Sequence, residues 1–164
     1  MSELTQSRLN ELLHYNSETG QFTWRVTLCN RAIKGTIAGH KGGRGYWYIG
    51  FGGKVYSAHR LAWLYIYGAF PKNDIDHING DKTDNRISNL RDVETSVNCQ
   101  NRRRARAGNK SGVLGASWHK RFGKWAAQIR VGGKSKHIGY FDTPEEAGRA
   151  YLEAKRTNHP GCTI

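Results

Sequence analysis

The chain is short of acidic residues, of cysteine and of long apolar runs, and each shortage excludes something. Asp and Glu together number 13 among 164 residues, against 26 Lys and Arg, leaving a formal charge of +13. An excess of that size repels itself and calls for a polyanionic partner. The three cysteines, Cys29, Cys99 and Cys162, are widely separated and include no Cys-x-x-Cys pair. No structural zinc is therefore expected, nor a disulfide framework, and all three read as plain thiols. No window approaches 18 consecutive apolar residues, so no membrane span is expected. The opening MSELTQSRLNELL lacks the apolar stretch of a secretory signal, which implies a cytoplasmic protein that is not secreted. Hydrophobic residues at 37% and aromatics at 11% suffice for small cores and argue against disorder along the whole chain.

Positive charge is spread along the chain, with +7 in residues 1–107 and +6 in residues 108–164. The stretch 100–111, QNRRRARAGNKS, is basic and poor in large apolar side chains. Its Gly108, Asn109 and Ser111 discourage helix. It reads as a basic linker between a module over 1–99 and a module over 112–164. Arg102, Arg103, Arg104 and Arg106 are placed there to meet phosphates.

In the first module, leucines 9, 12 and 13 recur at helical spacing behind a capping Thr5, predicting a helix over 5–13. A hairpin is expected over 18–26 with its turn at Thr19-Gly20, and another over 46–57 with its turn at Gly52-Gly53. A helix over 58–67 follows, ended by Gly68. In the second module three strands are predicted, over 113–119, 124–131 and 135–141. In the middle strand Trp125, Ala127, Ile129 and Val131 share one face, and Lys124, Gln128 and Arg130 share the other. Thr143-Pro144-Glu145-Glu146 is a capping box that opens a helix whose small residues suit close packing on a sheet. The fold class is α+β.

Possible chemistry concentrates in residues 74–90, DIDHINGDKTDNRISNL. Asp76 and His77 are adjacent at the end of a short apolar strand, followed by Asn79-Gly80-Asp81, Asn85, Asn89 and, on a helix from about residue 95, Asn98. A carboxylate with an amide oxygen is a hard-oxygen pair suited to Mg²⁺. A neutral histidine beside it can take a proton from an attacking water near neutral pH. Asp and Asn are also common turn formers and His77 fits a strand end, so spacing alone leaves both readings open.

The run from His59-Arg60 through IDHINGDKTDNRISNLR to Asn98 resembles the HNH endonucleases, particularly the phage and homing branch with a ββα-metal site, whose core motif falls at about 73–104. The marks are Asp-His, an Asn twelve residues after the histidine, and another Asn nine further on. The resemblance implies a metal-dependent DNA endonuclease, with His77 the general base and Asp76 and Asn98 the ligands of one divalent metal. Asn89 then orients the loop and the His77 backbone. Asp76 and Asn98 stand where many relatives carry His, which favours Mg²⁺ or Mn²⁺. Arg60, Arg86 and Arg91 are candidate phosphate clamps, or else ion-pair partners of Asp84 or Asp92. His59 is either a packing or a phosphate-contacting residue. His14, His40 and His159 carry no motif.

Residues 111–154, SGVLGASWHKRFGKWAAQIRVGGKSKHIGYFDTPEEAGRAY and onward, resemble the Apetala or ethylene-response-factor type of plant DNA-binding domain, also found fused to phage HNH nucleases. That implies a three-stranded antiparallel sheet with one helix, the sheet meeting double-stranded DNA. Trp118, His119, Lys120, Arg121, Gln128, Arg130 and Lys136 form the implied contact set, with Trp125 left in the core. Two other readings stand beside the nuclease. One is a non-cleaving DNA-binding regulator that keeps an inactive HNH fold. The other, weaker, is an RNA-binding protein, since the sheet shows no paired stacking aromatics. No membrane partner is expected, no dimer helix is visible (monomer or weak dimer), and a phage-encoded chain would act in the host cytoplasm.

Overall fold

The computed structural model describes residues 4–164, which divide between Glu94 and Thr95 into two units. In the first unit, helix α1 (Gln6–Leu12) is capped by Thr5, whose Oγ1 accepts the Arg8 N–H at 3.2 Å. The helix stops one residue before the predicted end because Leu13 turns extended. It opens strand β1 (Leu13–Asn16), which pairs antiparallel with β2 (Gln21–Trp24), Leu13 opposite Trp24. The first hairpin thus begins earlier than residue 18. The alternation that buries Leu13 and Tyr15 and exposes His14 and Asn16 is a strand's period.

Strands β3 (His40–Lys41), β4 (Trp47–Phe51) and β5 (Lys54–Ser57) form an antiparallel sheet in that order. Helix α2 (Ala58–Tyr67) follows directly and ends at left-handed Gly68. Leu9, Leu12, Leu13, Phe22, Trp24, Ile49, Leu61 and Leu64 make the buried core, which Ile75 and Leu90 join. Those last two anchor a two-stranded ribbon of β6 (Asp74–His77) and β7 (Leu90–Val93). The loop between them closes with a single 3-10 turn, Ile87–Asn89. The ribbon carries Asp76 and His77 at the edge of the core.

The second unit contains α3 (Thr95–Gln100), β8 (Ala116–His119), β9 (Lys124–Val131), β10 (Lys134–Phe141) and α4 (Pro144–Asn158). The sheet is antiparallel with β9 central. Its first strand starts at Ala116 rather than 113, because Gly115 has φ +84° and a Cβ there would lie 2.0 Å from the Tyr151 ring. Thr143 and Glu146 form both halves of the capping box. Ala116, Ala127 and Ala147 meet at the centre of a small core with Trp125, Phe141 and Tyr151 around it.

The division does not fall in the basic stretch 100–111, and α3 does not go with residues 1–94. Gln100 Oε1 accepts the Gly161 N–H at 3.0 Å, and Arg103 donates to the Thr163 carbonyl and hydroxyl at 3.0 and 2.9 Å. Lys155, fully buried on α4, donates its Nζ to the Arg102 carbonyl at 2.5 Å, and burial lowers its pKa. The supposed linker is therefore tied to α4 and the segment beyond it through the Gln100 and Arg103 side chains and the Arg102 carbonyl, while Arg102, Arg103, Arg104 and Arg106 remain exposed.

Candidate active site

The antiparallel register of the ribbon builds the floor of the site. Asp76 lies opposite Arg91, and His77 opposite Leu90. Cross-strand partners on one face come within reach of each other. Arg91 accordingly donates Nε and a terminal nitrogen to Asp76 Oδ2 at 2.9 and 2.7 Å. Asp76 is 6% exposed, and a buried carboxylate needs such a partner. Arg91 is thus an ion-pair partner, the other alternative of the sequence reading, but of Asp76. Its partner is not Asp92, which accepts the backbone N–H groups of Lys72 and Asn73.

Arg86 pairs with Asp84 through Nε at 2.8 Å and a terminal nitrogen at 2.6 Å, the ion-pair alternative left open above. That pairing holds the Asp84 carboxyl below its ordinary range. Arg60 donates to the carbonyls of Asn73 and Pro71, both at 3.4 Å, and lies over the Phe70 ring.

Asn89 braces the loop from within. Its Oδ1 accepts the Asn79 N–H at 2.9 Å, and its Nδ2 donates to Asn79 Oδ1 at 3.0 Å and to the Asp84 carbonyl at 2.8 Å. Its own carbonyl accepts the Ile78 N–H, next to His77. Every one of these bonds is internal to the loop.

His77 is buried, and its Nε2 lies 3.3 Å from Asn85 Oδ1. Burial lowers its pKa, against the opposing pull of Asn85, Asp76, Asp81 and Asp84. A histidine so placed is neutral near pH 7 and able to accept a proton. Beside it stand His59 of α2, ring centroids 5.2 Å apart and edge to face, and Tyr46, whose ring is 5.3 Å from His59 and 5.9 Å from His77. Lys82 Nζ lies 4.6 Å over the Tyr46 ring. Tyr46 escaped the sequence reading because it is 31 residues upstream of His77, on a loop without local periodicity.

His59 is 9% exposed, and its Nδ1 is buried without a hydrogen-bond partner. Burial, then His77, then Arg60 push its pKa down to about 3. Unfolded, this histidine takes a proton near pH 6.5; folded, it resists until about pH 3. The unfolded chain therefore binds more protons between those values, and stability falls as pH falls through that window. A loss on the order of 3 kcal/mol by about pH 4 is expected from this group. Urea unfolding of wild type and His59→Gln between pH 7 and 4 measures it: the wild-type midpoint should fall more steeply, and parallel slopes would refute the assignment.

Asn98 stands on α3 in the second unit. Among the described residues no three His, Cys, Asp or Glu side chains gather as a ligand cluster. The donors named from the sequence are of another kind, one carboxylate and one amide. Their chemistry fits a hard divalent cation with water and phosphate oxygens completing its shell. A fixed outer partner such as Arg91 is what orients a ligating carboxylate.

Cross-strand register sorts the implied DNA contacts of the second unit onto two faces. Trp118 is opposite Trp125, their rings 5.2 Å apart, and Lys136 is opposite Ile129. Both therefore belong to the face that carries α4, and the contact set does not share one surface. His119, Lys124, Gln128 and Arg130 point to the outer face, joined by His137 and Tyr140, while Lys120 and Arg121 lie in the turn. That outer face is not bare of aromatics. His119 stacks on Phe122 at 4.8 Å, and Tyr140 contacts His119, Phe122 and His137 at 5.0, 4.8 and 4.4 Å. The sequence reading missed this cluster because its rings come from two strands and a turn.

A buried neutral histidine next to a clamped carboxylate, on a strongly basic chain, is equipment for phosphodiester hydrolysis. Residues 56–100 match the family model HNH_3, HNH endonuclease, a stretch that takes in the ribbon of β6 and β7 with Asp76, His77 and Asn89. No curated protein matches the chain. Among solved structures it is similar to one described as "DNA binding and cleavage by the HNH homing endonuclease I-HmuI", at 24% identity and a TM-score of 0.45, covering 92% of this chain and 88% of that one.

Proposed function

We propose that this nuclease is a divalent-metal-dependent DNA endonuclease of the phage or homing kind, with His77 as general base. The observation that carries the reading is the pairing of a buried, neutral His77 with an Asp76 carboxylate fixed by Arg91 at one strand end. Water attacks the scissile phosphorus, its proton passes to His77, and the bond to the 3′ oxygen breaks; that oxygen takes a proton from solvent water, leaving a 5′-phosphate and a 3′-hydroxyl. The Asp76 carboxylate would offer oxygen to Mg²⁺ or Mn²⁺, with Asn98 the second ligand that the resemblance implies, and the ion would supply charge stabilisation for the phosphate and the leaving oxygen. Asn89 keeps the loop, and with it the His77 backbone, in register.

The outer face of the second unit, with His119, Gln128 and Arg130, is the proposed DNA-reading surface. Arg and Gln are suited to paired bonds with guanine and adenine edges. The resemblance of residues 111–154 to the plant DNA-binding domain and the antiparallel three-stranded sheet support this role. The exposed Lys120, Arg121, Arg102, Arg103, Arg104 and Arg106 add phosphate contacts that position without specifying sequence.

Incubation with a complex double-stranded DNA pool, with Mg²⁺ or with EDTA, followed by sequencing of the ends, tests the reading. Mg²⁺-dependent ends bearing 5′-phosphates at a recurring sequence are expected, and EDTA should remove them. Binding without any cut in Mg²⁺ or Mn²⁺ would instead establish the non-cleaving regulator.

A further inference from the structure

Asn85 lies at the centre of the site and no role has been given to it so far. It is 2% exposed, among the most completely buried side chains of the protein. Its backbone is held from the first hairpin: Tyr15 Oη donates to its carbonyl at 2.7 Å, across 70 residues of sequence. Gly20 presses on the same point, where a Cβ would come within 2.6 Å of the Asn85 carbonyl carbon and 2.5 Å of the Arg86 nitrogen. The side chain is oriented as well. Nδ2 donates to the Thr83 carbonyl at 3.3 Å, and Oδ1 faces His77 Nε2.

These contacts bear on which ring nitrogen of His77 carries the proton. Turning the amide over would set Oδ1 against the Thr83 carbonyl, two acceptors with no hydrogen between them. The amide therefore keeps Oδ1 towards the imidazole, and an oxygen there is satisfied only by an N–H. Neutral imidazole has a single N–H, so placing it on Nε2 makes Nδ1 the nitrogen with the lone pair. We propose that Asn85 is a positioning residue that fixes His77 in its Nε2–H tautomer, so that Nδ1 is the atom that takes the proton from water. The inference rests on the reading of His77 as general base. The first hairpin enters it too, since Tyr15 and Gly20 fix the backbone from which the amide reaches the ring.

Long-range proton–nitrogen correlation spectra of ¹⁵N-histidine-labelled protein at pH 8, with cleavage kinetics on the same samples, test it. Wild type should show His77 protonated at Nε2. Asn85→Ala should lose that preference and reduce kcat for plasmid nicking by about 10²-fold, the scale of a misplaced base, with KM for DNA within twofold. Asn85→Asp, which still offers an oxygen acceptor to Nε2, should keep the tautomer and recover most of kcat. A wild-type His77 protonated at Nδ1 overturns the proposal, whether or not any variant folds. So does Asn85→Ala with wild-type kcat. If wild type cuts no DNA, the nuclease reading falls, while the spectrum still decides the tautomer.

Discussion

Replacing His77 by alanine should lower Mg²⁺-dependent cleavage by about 10²–10⁴-fold, the range that a positioned general base supplies, while leaving DNA affinity within a few fold. The separation follows from the geometry. His77 is 4% exposed, neutral, and bonded to a loop asparagine rather than placed on the basic surface. Its loss removes a proton acceptor without removing a phosphate contact. It also leaves Asp76 and Arg91 paired, since they are cross-strand partners and neighbouring residues of a strand point to opposite faces. Asn85 loses one partner, which costs about 1–3 kcal/mol for a buried acceptor left unmade, so folding is checked in parallel by circular dichroism. Gel-shift affinity and single-turnover nicking on one plasmid, wild type against variant, are the measurement. Equal nicking by both proteins would remove His77 from the mechanism. Equal loss of binding and nicking would make it a structural residue.

The elements that announced themselves in sequence did so through local chemistry. Thr5 and Thr143 are caps whose bonds reach three residues ahead, so sequence alone locates them. Gly68 ends α2 because the left-handed turn it adopts suits a residue without a Cβ. Alternation in β9 told which of its side chains face α4, and the register agrees: Trp125, Ala127 and Ile129 on one side, Lys124, Gln128 and Arg130 on the other. What stayed hidden depends on pairing across distance. Strand β7 was not foreseen, because Leu90–Val93 alternates weakly and owes its conformation to β6. The assignment of α3 to the second unit rests on bonds to residues 155–163, beyond the reach of any local pattern.

The site divides in the same way. Asp76, His77 and Asn89 stood out because a motif places them within fourteen residues, and Asn89 bonds to Asn79 and Asp84 within the loop. Arg91 was visible as a clamp or an ion-pair partner, but its partner Asp76 was not among those considered, since only the register reveals that the two face each other. Asn85 was visible too, yet the bond that gives it meaning depends on a hairpin 70 residues away. Tyr46 and His59 complete a ring cluster that no spacing rule describes. Local motifs thus pick out the candidate groups, and long-range contacts show what surrounds them.

The charge excess yields the second large effect. Binding to double-stranded DNA should weaken about 10³-fold between 50 and 200 mM salt, a log–log slope of roughly −5, if about six phosphates are contacted. The 26 Lys and Arg side chains supply many more cations than six. The structure shows why they do not all count. Arg86 and Arg91 are committed to Asp84 and Asp76, Lys155 is buried on Arg102, and Lys124 pairs with Asp142 at 2.9 Å. The exposed arginines 102, 103, 104 and 106, with Lys120, Arg121 and Arg130, remain as the main candidates for counterion release. Removing one phosphate contact, for example Arg104→Ala, should reduce the slope by about 1 and weaken binding to all sequences alike. Gln128→Ala, on the outer face but uncharged, should leave the slope unchanged and act on sequence preference instead. Fluorescence anisotropy across a salt series, on specific and scrambled duplexes, separates the two. A wild-type slope near zero would show that the positive charge does not serve DNA binding.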